Sequence, residues 1–134
     1  MIGRYFASIL LAVALAACGR DGSAAALNEP IQLAPGQSAA FKAEKLEVTF
    51  IDIVSDSRCA ADVTCVWQGA VTLQLAIRSN GRQTRHELME AQPLTVDGYV
   101  VDCVEVLPPR GPENHRIAPA DYRVTLKVTR SKSQ

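Results

Sequence analysis

Val71-Thr72-Leu73-Gln74-Leu75-Ala76-Ile77-Arg78-Ser79-Asn80-Gly81-Arg82 carries the pattern on which the fold turns. Val71, Leu73, Leu75 and Ile77 alternate with Thr72, Gln74, Ala76 and Arg78, the period of two that puts one face of a strand in a core and the other in water. Asn80-Gly81 accepts the positive φ angles of a type I′ turn, so residues 82–89 should return antiparallel as the second arm of a hairpin.

Upstream, Leu46, Val48 and Phe50 alternate with Glu47 and Thr49 in a second strand. Ile51, Ile53 and Val54 then break the phase, which predicts a bulge or burial of both faces. Residues 30–33 suit a short edge strand and Ala34-Pro35-Gly36-Gln37 a turn before 38–42. Downstream, residues 94–96 lead through an Asp97-Gly98 turn into 99–107, where Tyr99, Val101 and Cys103 share one face and Val104 and Val106 mark a second phase shift. Residues 108–119 include Pro108, Pro109, Pro112 and Pro119 and read as an irregular loop. Tyr122, Val124, Leu126 and Val128 alternate cleanly in a last strand, and residues 131–134 read as a disordered tail. Roughly six or seven strands with no helical period after residue 18 predict an all-β fold, a single antiparallel β-sandwich, immunoglobulin-like or a small barrel. Asp121-Tyr122 at the head of the last strand resembles the tyrosine corner of immunoglobulin-like domains.

The N-terminus has a different logic. Arg4 is followed by an apolar run over 6–14 that is too short to span a bilayer, and then by small residues, as in a secretory leader. Leu15-Ala16-Ala17-Cys18 resembles the lipobox of bacterial lipoproteins, which implies a signal peptide over 1–17 and a diacylglyceryl thioether on Cys18. Multiple acyl chains, each buried methylene contributing about 0.8 kcal/mol, would hold the protein on a membrane that it does not cross. Gly19, rather than aspartate, implies by the same resemblance the outer membrane, with the domain facing the periplasm. Residues 18–28, small and polar, read as a lipidated flexible tether, and residues 29–130 as the sandwich domain.

The chain has 134 residues, with 14 Lys and Arg against 14 Asp and Glu. Arg4 is the leader's one charge, so the remainder is nearly neutral and offers no electrostatic case for nucleic acid. With Cys18 acylated, Cys59, Cys65 and Cys103 remain. In an oxidising envelope Cys59 and Cys65 are the natural pair for a short-loop disulfide, and Cys103 among valines reads as a buried small hydrophobe. A metal site using Cys59, Cys65 and Cys103 with His86 or His115 is the sharper alternative, although the spacing is not that of compact zinc or copper pairs.

Asp56-Ser57-Arg58-Cys59, then Cys65-Val66-Trp67 and Gly69, then Tyr99, Val106, Pro108 and Asp121-Tyr122, resemble a group of small bacterial secreted and lipid-anchored domains. Their shared signature is Asp-Ser-Arg-Cys, a short spacer and Cys-Val-Trp-x-Gly. The resemblance implies the disulfide and the β fold and supplies no reaction. This chain departs from the pattern with Ala60 where proline is common and Cys103 where an aliphatic residue is usual.

Asp56, Arg58 and Trp67 are the candidate binding-loop residues. Asp56 and Arg58 could equally be a local ion pair shaping the approach to Cys59. Trp67 suits either a core aromatic lying over the bridge or an exposed ligand platform. The serines lack a nucleophile-elbow context, and Glu87 and Glu90 beside His86 on a polar strand face read as solvated charges, so neither an enzyme nor a cofactor is expected. The expected function is a lipid-anchored, non-catalytic binding or structural accessory module with an envelope protein partner. The alternatives are an inhibitor of an envelope or foreign hydrolase that presents the bridged loop, and a periplasmic metal-binding protein.

Overall fold

The computed structural model describes residues 22–114 and 116–132. The expected signal peptide over 1–17, acylation at Cys18 and the residue His115 lie outside the described residues. The strands are β1 (Gly22–Ala24), β2 (Ile31–Leu33), β3 (Ser38–Phe41), β4 (Leu46–Asp56), β5 (Val71–Ser79), β6 (Arg82–Met89), β7 (Leu94–Val96), β8 (Tyr99–Leu107) and β9 (Arg123–Arg130). They form two packed sheets, one ordered β1-β3-β4-β5-β6 and the other β2-β9-β8-β7. Neighbours are antiparallel except β1, which lies parallel to β3.

The hairpin pattern sets one side of the larger sheet, with β6 as its edge. Asn80 (φ 51°) and Gly81 (φ 80°) make the turn, and β5 pairs with β6 from Thr72 opposite Met89 to Ser79 opposite Arg82. Leu73, Leu75 and Ile77 point inward beside Val48 and Phe50 of β4, and meet Val101, Val124, Leu126 and Val128 of the other sheet in one core. Both expected phase shifts are present. The register of β4 against β5 slips between Phe50 and Asp52 and again between Ile53 and Ser55, leaving Val54 exposed. The register of β8 against β9 slips between Cys103 and Glu105, which turns Val104 outward and keeps Cys103 and Val106 buried. A bulge adds one residue to one strand, so the inward set resumes one position later.

Two expectations at the domain's ends need correction. The described part of the tether, 22–28, is docked: Gly22 to Ala24 pair with Ser38 to Ala40, Ala25 N donates to Ala40 O (3.0 Å) and Asn28 N to Val128 O (2.8 Å). Ala25 and Leu27 pack on the core, and Asn28, at φ 68°, turns the chain from one sheet toward the other. Composition missed this because what docks the segment is backbone pairing to an open strand edge, which small residues supply without any apolar period. At the other end Ser131 N donates to Gly98 O (2.8 Å), so the first residue of the expected tail is tied to the domain.

Candidate functional site

The bridged loop leaves the sandwich where β4 ends and returns where β5 begins. Its neck is stitched by backbone and hydroxyl: Ser57 N donates to Ala70 O (3.0 Å), Ser57 Oγ to Ala70 O (2.9 Å), Ala70 N to Ser57 Oγ (3.0 Å) and Cys59 N to Gln68 O (3.1 Å). Gly69 sits in this neck at φ 65°, and a Cβ there would collide with Ser57 O, so both backbone angle and close approach require glycine. Beyond it, Cys59 and Cys65 are bonded, with Cα atoms 5.9 Å apart.

The proline-rich loop expected over 108–119 meets the bridged loop through Gly111 and Glu113. Ala61 N donates to Gly111 O (3.0 Å) and Glu113 N to Asp62 Oδ1 (2.8 Å). The two loops therefore form one end of the molecule, which spacing in the chain could not reveal.

Asp56 and Arg58 are brought together beneath the loops rather than on their surface. Asp56 Oδ1 accepts from Arg58 Nε (2.9 Å) and Arg58 N (3.2 Å), while Oδ2 accepts from Arg58 Nη2 (2.8 Å) and the Tyr122 hydroxyl (2.9 Å). Arg58 Nη1 reaches across to Val106 O (3.2 Å). The side chains of Arg58 and Asp56 are only 15% and 7% exposed. The group braces one sheet against the other and leaves no face for a ligand. Burial alone would raise the Asp56 pKa, but the hydrogen bonds from Arg58 and Tyr122 outweigh it and hold the carboxyl below its ordinary value. The hydrogen bond to Asp56 raises Arg58, and burial followed by the same carboxylate raises Tyr122. Tyr122 was missed as a partner of Asp56. Its hydroxyl bonds a side chain 66 residues away in sequence, unlike the nearby backbone contact of a tyrosine corner.

Trp67 requires the opposite correction. It does not lie over the bridge: its side chain is 81% exposed and the neighbouring Val66 is fully exposed. The apolar core stops at Val71 and Tyr122, and of the loop only Ala60 is buried, so the ring has no hydrophobic floor to cover. Val63 is also exposed, which makes the loop tip an apolar projection. Two adjacent large apolar residues outside any alternating strand pattern were the available signal for Val66.

The remaining candidates are dispersed. Cys59 and Cys65 are spent on the bridge and Cys103 is buried in the core, so the described structure does not assemble the cysteine and histidine metal set. Burial, with help from Glu90 and Asp102, pushes the Cys103 thiol up to about 12. His86 shares a 2.8 Å hydrogen bond with Thr84 Oγ1, Glu87 points to the other face of β6, and Glu90 Oε1 accepts from Val71 N (3.0 Å). Comparison with protein-family models, curated proteins and solved structures returns no match.

Proposed function

We propose that this chain is a lipid-anchored, non-catalytic accessory module of the bacterial envelope, held through Cys18, whose bridged loop presents a binding tip made of Val63, Val66 and Trp67.

 The observation that supports this reading is the exposure of Trp67 and Val66 on a ring that is covalently closed and pinned to its neighbour. Leaving a tryptophan and a valine in water costs hydration free energy that burial against a partner would recover. A closed ring also loses little conformational freedom on binding, which lowers the cost of association.

The test has two readouts. Membrane and soluble fractions of cells that make the full chain or Cys18→Ser report the anchor: the full chain should sediment with membranes and the variant should not. A photo-crosslinking amino acid at position 66 or at position 83, on the exposed face of β6, reports the tip. An adduct confined to position 66 and lost on Trp67→Ala is expected, and equal adducts at both positions would overturn the tip's role. The hydrolase-inhibitor reading uses the same projection, and it would place the adduct on a protein with an active-site cleft.

A further inference from the structure

We infer that the apolar tip of the bridged loop docks on the zwitterionic lipid surface of the membrane that holds the anchor. This deepens the reading above and rests on acylation of Cys18.

The first argument is chain direction. β1 is parallel to β3, β3 is antiparallel to β4, and β4 runs toward the bridged loop. β1 therefore runs away from that loop, and the chain before Gly22 joins the domain from the loop's side. Gly22 is level with Ser38, Ser38 with Thr49, and Thr49 with Ala76. From Ala76 to the loop end of β5 at Val71 is a rise of about 17 Å. The four residues from Cys18 to Gly22 span at most about 14 Å. Continued along the line of β1, that stretch would carry an acylated Cys18 toward the loop, to within about 3 Å of the level of its base.

The second argument is where exposed apolar side chains fall. Among the described residues the large ones are Val54, Val63, Val66, Trp67, Met89 and Val104. Three are in the bridged loop, Val54 is near the end of β4, Met89 ends β6 and Val104 lies in the later half of β8. All belong to the loop half of the sandwich. Lys42, Lys45, Arg82 and Arg130 mark the other end. Asp62 and Glu113 stand beside the tip and Arg110 and Arg116 lie in the same neighbouring loop, so this end carries both signs of charge and the docking does not depend on anionic lipid. Tryptophan favours the boundary between headgroups and acyl chains, where its ring is buried and its N–H stays hydrated.

Trp67 is the chain's one tryptophan, so its fluorescence reports this site alone. The lipidated full chain would be reconstituted in phosphatidylethanolamine vesicles with and without brominated acyl chains, and its N-terminus checked by mass spectrometry. Emission shifted to shorter wavelength, quenched by brominated lipid and unchanged by added salt is expected. Val66→Asp, at a fully exposed position that leaves the fold intact, should weaken that quenching. Acylated protein with water-like emission overturns the docking and leaves the anchor standing. Unmodified Cys18 overturns both. A shift without bromine quenching that grows with protein density assigns the tip to a second copy and overturns the lipid surface.

Discussion

At the end of β4 the Asp56 carboxylate takes hydrogen bonds from Arg58 and Tyr122, and the consequences of removing each partner differ. Asp56→Asn leaves a largely buried guanidinium without its counter-charge and should cost about 3 kcal/mol. Tyr122→Phe removes one hydrogen bond to a charged acceptor and should cost about 2 kcal/mol. Urea unfolding of both variants checks the order. Because the folded state lowers the Asp56 pKa, the unfolded chain binds more protons as the carboxylate titrates. The stability contributed by Asp56 is therefore present above its ordinary carboxylate range and is lost as pH falls through its folded value. Unfolding free energies measured across acidic pH should fall less steeply in Asp56→Asn. Cys103 gives a simpler expectation. With its thiol pushed up to about 12, it should resist alkylation at neutral pH until the domain unfolds, which peptide mass spectrometry reads directly.

The bridged loop is an element with its own stability. Closing a ring of about seven residues should contribute about 2 kcal/mol by the chain-entropy relation, so reduction should lower the urea midpoint without abolishing the fold. Gly69→Ala should do more local damage, because the new Cβ meets the backbone oxygen of Ser57 and the residue must hold φ 65°. A cost of at least about 2 kcal/mol is expected, with the loss of loop amide protection as its signature. The hairpin, the two phase shifts and the bridge were legible because each is a local pattern: alternation, an Asn-Gly pair, a broken period, two cysteines in one loop. The placement of Trp67 was not legible. Whether an aromatic beside a disulfide is covered depends on how far the core extends along the strands, and Val71 and Tyr122 end it short of the ring.

Across the whole molecule, protection should follow depth in the sheets. β3, β4, β5, β8 and β9 each have neighbours on both sides, whereas β1, β2, β6 and β7 are edges. Hydrogen exchange should be slowest in the four long interior strands β4, β5, β8 and β9 and fastest in β1, β7 and the loop end. The pairing of the two loops and the Asp56–Tyr122 contact join residues far apart in sequence, so neither was legible before the sheets were assembled. The docked segment 22–28 was hidden for a related reason, since β3 offers it an edge only after β3 has paired with β4.

That parallel first strand also decides how the domain bears a load. Tension between the chain ahead of Gly22 and the chain beyond Arg130 pulls along the strand axes toward opposite ends, so the hydrogen bonds of β1 with β3 are sheared together rather than unzipped singly. A tug on the chain ahead of Gly22 meets a clamp before it reaches the core.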